Sequence, residues 1–113
     1  MTLPRLASAT LVSALVRRAS ASGGAAVIVA RGDTTAGSIL LLCLERGQFS
    51  AFLERTLDVD GRYRWTNVGP VEDRSAESRS WLERRRQRDP DLWVVELDVP
   101  EPQRFAAETT GDD

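Results

Sequence analysis

The sequence predicts one α+β domain, in which a curled antiparallel sheet of four to five strands is flanked by two helices in the order α-β-β-β-β-α-β. Three observations lead to this prediction. Apolar residues recur with helical spacing near the start, short apolar runs separated by glycine-containing turns follow, and a second, polar helix precedes a last apolar strand. The 113 residues are enough for one hydrophobic core.

The first predicted helix occupies the segment before Gly23. Its apolar residues fall on one face, and polar residues fall on the opposite face. The apolar residues are Val12, Leu15, Val16 and Ala19. The sequence Ser22-Gly23-Gly24 predicts the end of the helix, because glycine readily takes the left-handed conformation found after a helix.

The same segment has features of a secretory signal, since Arg5 precedes an apolar stretch and small residues stand at 19–21. Arg17 and Arg18 argue against a signal, because they lie where its apolar core should meet the cleavage region. No run of about 18 apolar residues exists, which is the length that a membrane span needs. We therefore expect a cytoplasmic protein that has no contact with a membrane.

Five apolar or alternating runs predict strands. They lie at residues 25–30, 38–45, 49–57, 62–66 and 92–99. Residues 31–37 form a turn after the first strand, in which Asp33 accepts backbone hydrogen bonds and Gly32 and Gly37 supply positive φ angles. Asp60-Gly61 predicts a two-residue turn before the fourth strand.

A two-residue turn at Arg46-Gly47 fixes the predicted register of the hairpin. The expected pairs are Leu44–Phe49, Leu42–Ala51 and Leu40–Leu53 on one face, and Cys43–Ser50, Leu41–Phe52 and Ile39–Glu54 on the other. Both faces are largely apolar, so we expect the hairpin inside the sheet, with cover on each side.

The second predicted helix spans residues 74–88, with Asp73 as its N-cap and few apolar residues. The sequence DPD at 89–91 ends it, before the last strand. We assign residues 1–105 to a single α+β domain. Residues 106–113 are expected to form a disordered acidic tail, because they are mostly polar and follow Pro100 and Pro102.

Arginines of the second helix form the most suggestive surface of the sequence. They are Arg79, Arg84, Arg85, Arg86 and Arg88. Arginine suits phosphate contacts, but basic residues near a helix C-terminus also stabilise the helix dipole. A solvated face, a nucleic-acid or other anion site, and a site for an acidic protein segment remain alternatives. No aromatic residues alternate with the arginines, which weakens the case for RNA.

The composition excludes most common catalytic chemistry. No histidine or lysine occurs, and the single cysteine, Cys43, lies in an apolar run. Catalytic triads, Schiff-base lysines, phosphate-loop lysines and four-ligand Cys/His zinc sites are therefore excluded. We predict no catalytic residue, no cofactor and no metal ligand. A metal-dependent hydrolase using Glu45 and Glu54 is a distant alternative, since the order of elements is similar to that of many nucleases but their lysine is missing.

Three segments resemble a family of small bacterial proteins known as domain of unknown function 1491. They are VSALVRR at 12–18, RGDTTAG at 31–37 and DPDLWVVE at 89–96, and the resemblance spans about residues 5–105. It implies that the first helix belongs to the mature domain, and it implies no activity. We assign structural roles to seven residues in or near these turns: Gly32, Asp33, Gly37, Asp89, Pro90, Asp91 and Trp93.

The function that the sequence favours is a small non-enzymatic interaction or accessory protein with an unknown protein partner. A hairpin that is apolar on both faces, beside a second helix with few apolar residues, also predicts a homodimer. Its interface would be an apolar sheet face or an unpaired edge, with residues 92–99 as the candidate edge. An arginine-mediated nucleic-acid binder is the alternative.

Overall fold

The computed structural model describes residues 6–71 and 75–112. The helices are α1 (Ser8–Ala21), α2 (Ser75–Arg88) and α3 (Pro102–Thr110), and the strands are β1 (Ala25–Ala30), β2 (Ile39–Glu45), β3 (Gln48–Leu57), β4 (Tyr63–Val68) and β5 (Trp93–Asp98). One sheet contains all five strands in the order β1-β5-β2-β3-β4. The predicted α+β class is confirmed, while the predicted N-cap Asp73 lies outside the described residues.

The position of β5 differs from the prediction. Strand β5 lies inside the sheet, antiparallel to β1 and parallel to β2, whereas the other neighbouring strands are antiparallel. The predicted antiparallel pairing holds for three of the four strand pairs and the β2–β5 pair is parallel, while the candidate edge position of residues 92–99 was wrong. The reason is that α2 carries the chain from the edge strand β4 to the gap between β1 and β2. Trp93, Val94 and Val95 are all buried, as is typical of a strand covered on both faces.

The β2–β3 hairpin has the predicted turn but a shifted register. Arg46 and Gly47 both have positive φ, at 52° and 78°, which is the geometry of a two-residue hairpin turn. Leu44 pairs with Phe49 as predicted. Beyond it a β-bulge shifts the register, so the remaining partners are Cys43–Ala51, Leu42–Phe52, Leu41–Leu53 and Leu40–Glu54. The extra residue exchanges the faces of all later residues of β3 relative to the prediction.

The hairpin between β3 and β4 closes with a longer turn than predicted. Asp58 N donates to Arg62 O at 2.9 Å, which leaves three residues in the loop rather than two. Gly61 has φ 79° and completes the turn. The alternation predicted for β4 is confirmed, because Trp65 is buried and Arg64 is exposed.

The predicted disordered tail is a helix over most of its length. Ala106 at its start is 0% exposed within α3, so the prediction of disorder for residues 106–113 was wrong as far as Asp112, the last described residue. Pro102 begins the helix, where a missing N–H costs nothing. Arg18 of α1 donates to Phe105 O at 3.1 Å and forms an ion pair with Glu108 at 3.0 Å. The acidic segment thus packs on the basic first helix.

The two faces of the sheet are covered unequally. Helices α1 and α3 pack on one face, the α1/α3 side, over a large buried cluster that includes Leu41, Leu53 and Trp93. Helix α2 packs on the opposite face, the α2 side, over a smaller buried cluster: Leu40, Phe52, Leu92 and Val94. On the α2 side, Leu42, Leu44 and Phe49 near the Arg46-Gly47 turn are only half-buried.

Candidate functional site

Two of the three segments that carry the family resemblance, 31–37 and 89–96, meet at one end of the sheet. Asp33 N donates to Asp91 O at 3.0 Å, and the indole N–H of Trp93 donates to Asp33 O at 2.7 Å. The Asp33 carboxylate accepts from the backbone N–H groups of Thr35 and Ala36, at 3.2 and 2.8 Å. The predicted turn-forming role of Asp33 is therefore confirmed. We call this group of contacts, between residues 31–37 and 89–93, the motif junction.

The glycines of the motif junction are needed for close approach. A Cβ atom on Gly32 would lie 2.1 Å from Asp91 O, and a Cβ atom on Gly37 would lie 2.3 Å from the same oxygen. Neither glycine has a positive φ. The sequence analysis therefore named the right residues for the wrong reason. The close approach of two backbone segments that are distant in the chain produces no local sequence pattern.

The motif junction also holds the start of α1. Ser8 Oγ donates to Gly37 O at 2.6 Å, and Ala9 N donates to Thr34 O at 3.0 Å. On the other side, Leu92 N donates to Asp89 O at 3.1 Å, which closes the turn around Pro90. Backbone and indole groups of the junction thus satisfy one another, as expected of a structural feature rather than of a ligand site.

Arg85 is engaged within the fold. Both terminal nitrogens of its guanidinium contact the Glu54 carboxylate, with Nη2 to Oε2 at 3.0 Å, and Asp89 lies 3.9 Å away. Its side chain is 19% exposed. The hydrogen bond that Arg85 donates to the Glu54 carboxylate raises the pKa of Arg85 above its ordinary value. Arg85 therefore contributes to packing and is not presented to a ligand.

The other four predicted arginines lie on two separate flanks of α2. Successive helix residues are rotated by about 100°, which places Arg79 near Arg86 and Arg84 near Arg88, with the two pairs turned away from each other. Arg86 lines a cleft together with Arg31, at the end of β1. Arg84 lines a groove with Pro70, at the end of β4. The structure does not bring the five arginines together into one surface.

The remaining reactive groups are buried or engaged. Cys43 is 0% exposed, and burial raises the pKa of its thiol to about 12. Glu54 binds Arg85, whereas Glu45 accepts a hydrogen bond from Glu101 N at 3.0 Å. Glu54 pairs with Leu40, which lies five residues from Glu45 along β2. This separation of about 16 Å is too far for a shared metal ion. The carboxylate pair of the hydrolase alternative is thus not assembled. Within residues 6–71 and 75–112, no cluster of Cys, Asp and Glu side chains is suited to a metal ion.

The outer edge of Ala25–Ala30, which we call the β1 edge, is an unpaired edge of the sheet within the described residues. Within the described part of the chain, β1 pairs only with β5. Its sequence AAVIVA has no charged residue and no proline, and Val27 and Val29 are 56% and 47% exposed. The opposite edge strand, β4, carries Arg64, Thr66 and Asn67. Sequence reasoning expected an open edge but placed it at residues 92–99.

Comparison with known proteins identifies the chain. The model of the family described as a protein of unknown function (DUF1491) matches residues 6–107. The chain belongs to the DUF1491 family. A search of curated proteins gave no match.

Solved structures, two of them of DUF1491 family proteins, share the fold. The crystal structure of a DUF1491 family protein from Caulobacter crescentus CB15 is 28% identical, covers 88% of this chain and 94% of its own, and gives a TM-score of 0.75. The NMR structure of a DUF1491 family protein from the same organism is also 28% identical, with coverages of 91% and 94% and a TM-score of 0.74. The solution structure of protein Atu0922 from A. tumefaciens is 32% identical, with coverages of 87% and 89% and a TM-score of 0.68.

The DUF1491 match includes all five strands and the whole of the motif junction. Two of the three segments that resemble the family, 31–37 and 89–96, contact each other through their backbones at the end of the sheet. None of the helices in the described residues is long and apolar enough to cross a membrane.

Proposed function

We propose that this DUF1491 protein is a small non-enzymatic interaction module that binds an extended strand of a partner at the β1 edge. The observation that carries the proposal is a six-residue edge strand without charge or proline. An extended segment that adds to such an edge gains backbone hydrogen bonds along its length, and neighbouring side chains supply specificity.

Natural proteins usually protect exposed strand edges with charges, prolines, bulges or cover. The β4 edge follows this rule, since Arg64 is the second of its six residues. On β1, the described residues show one such feature, a bulge between Ile28 and Ala30. Val27 and Val29 remain exposed, and they offer apolar contact to an added strand.

The chemistry of the chain supports binding rather than catalysis. The sequence has no histidine or lysine, and its one thiol is buried with a raised pKa. Asp98 accepts hydrogen bonds from the backbone N–H groups of Arg46 and Gly47 at 3.0 and 2.9 Å, so this carboxylate is used to hold a turn. We further propose that the protein acts in the cytoplasm, where the free Cys43 stays reduced.

The arginines of α2 do not favour nucleic-acid binding as a second function. Nucleic-acid binding requires several basic side chains on one surface that neutralise phosphates of the same backbone. Arg85 is paired with Glu54, and the exposed arginines lie on two flanks of the helix.

Amide chemical shifts of the ¹⁵N-labelled protein test the proposal. The probe is a capped peptide of alternating threonine and valine, about eight residues long, which forms an extended strand unrelated in sequence to β1. We expect its addition to shift amide signals of Ala25–Ala30 and to leave the signals of β4 unchanged.

A matched pair of variants controls for nonspecific apolar binding. Val27→Lys places a charge on the β1 edge, whereas Val59→Lys makes the same change in a fully exposed loop. Peptide binding should weaken in Val27→Lys alone. An absence of shifts at β1 in the wild type, or equal binding by both variants, would overturn the proposed function.

A further inference from the structure

We infer that the partner of the β1 edge is a second copy of this chain, whose β1 strand adds antiparallel across a two-fold axis at Ile28. The inference rests on the proposed function, because it uses the same edge. It goes further by naming the occupant and the register. The result would be one continuous sheet running through both protomers.

The sequence of β1 reads the same in both directions around Ile28. Residues 26–30 are Ala-Val-Ile-Val-Ala. In an antiparallel pair centred on Ile28, Ala26 meets Ala30 of the second copy, Val27 meets Val29, and Ile28 meets itself. A two-fold interface requires such self-complementarity, because the same surface serves both partners. Residues directly opposite each other lie on the same face, so valine contacts valine.

The charges next to β1 do not oppose this arrangement. Arg31 follows the strand at one end and is exposed. At the other end, Ala25 pairs with Asp98 of the neighbouring strand. Antiparallel pairing centred on Ile28 sets Arg31 of each copy opposite Ala25 of the other, one strand away from Asp98. No like charges meet along the strand.

The structure also indicates that the dimer is weak. Val29 has no partner in β5, because the register passes from Ile28–Val95 to Ala30–Val94. This bulge bends the edge and limits the added pairing to a short segment. A short strand pair buries less surface than a standard stable interface, so we expect a dissociation constant in the micromolar range or above.

Sedimentation velocity of the purified protein, from micromolar to about 0.5 mM, tests self-association. The mass should rise from 12.5 kDa toward twice that value with concentration. Val27→Lys enters the interface twice and should weaken dimerisation by about tenfold or more, whereas Val59→Lys should behave like the wild type. Circular dichroism confirms that each variant is folded.

The register is tested in a mixture of ¹³C-labelled and unlabelled protein. Intermolecular NOEs between the methyl groups of Val27 and Val29 support the axis at Ile28. A monomer at every concentration, a dimer unaffected by Val27→Lys, or a dimer without these NOEs overturns the inference. If the protein stays monomeric but the threonine–valine peptide still binds at β1, only the inference fails. If the peptide does not bind either, the proposed function fails as well.

Discussion

The two sides of the sheet differ in how completely helices cover them. On the α1/α3 side, two helices cover a continuous apolar cluster, and buried groups such as Leu15 and Val95 are 0% exposed. On the α2 side, one helix supplies Trp81 and Leu82 over a smaller cluster and adds the Arg85–Glu54 ion pair. The difference indicates that most of the stability comes from the first side, while the second leaves part of the sheet accessible.

The largest expected effect is at Trp93, which joins the α1/α3 side to the motif junction. Trp93→Ala removes a side chain that is 2% exposed and the hydrogen bond to Asp33 O. We expect a loss of about 3–5 kcal/mol in the free energy of unfolding, measured with urea. Trp81→Ala on the α2 side is the comparison and should cost less. A larger loss at Trp81 would reverse the assignment of the two sides.

Gly37→Ala tests the close approach within the motif junction. The added Cβ would lie 2.3 Å from Asp91 O, so two backbone segments must separate, at a cost of about 2–3 kcal/mol. Thr34→Ala, on the exposed part of the same turn, should change the urea midpoint little. If both variants unfold at the same urea concentration, the contact between the two segments does not stabilise the fold.

Arg85→Gln tests the ion pair of the α2 side. The substitution leaves the Glu54 carboxylate, 15% exposed, without its partner, and we expect a loss of about 1–2 kcal/mol. The control is Arg84→Gln, the same change at an exposed neighbouring position of the same helix. Thermal unfolding of both variants measures the difference. Equal melting temperatures would mean that α2 is held by its apolar contacts alone.

The smallest expected effect is a pH dependence on the α1/α3 side, at Cys43. Burial raises the pKa of the thiol from 9.0 to about 12, so the folded state holds its proton where the unfolded state loses it. This contribution to stability is complete below pH 9 and is lost as the pH rises toward 12. At pH 9.5 the loss is about 0.8 kcal/mol.

Comparing the wild type with Cys43→Ala at pH 8 and pH 9.5 isolates this effect. The stability advantage of the wild type over the variant should shrink at the higher pH. A constant difference between the two proteins would show that burial does not raise the pKa of the Cys43 thiol in the folded state.

The residues that the sequence identified correctly are those with strong local signals. Helix α1, the Arg46-Gly47 turn and the alternation of β4 follow from periodicity and turn chemistry. The position of β5 depends on which strands it joins far along the chain, and local pattern does not encode this. The bulge at Ser50 and the contact of Gly32 with Asp91 O likewise depend on tertiary packing. Pro102 at the start of α3 was a local signal of a helix N-terminus that the sequence analysis overlooked.

The same limit applies to the candidate site. The five arginines lie within ten residues of the sequence, yet helix rotation and the pairing of Arg85 with Glu54 divide them. The β1 edge was missed because an edge strand and a central strand have the same short apolar pattern. Only the order of strands in the sheet distinguishes them.

The central position of β5 has a consequence for how the chain folds during synthesis. Strands β1 and β2 are synthesised early, but each has an edge that stays unpaired until β5 fills the gap between them. Residues 46–92 must be translated first, which takes about 2–10 s at typical rates. During that interval two apolar strands have unpaired edges in the nascent chain. Chaperone binding to the unfinished protein should therefore end when Trp93–Asp98 becomes available to the sheet.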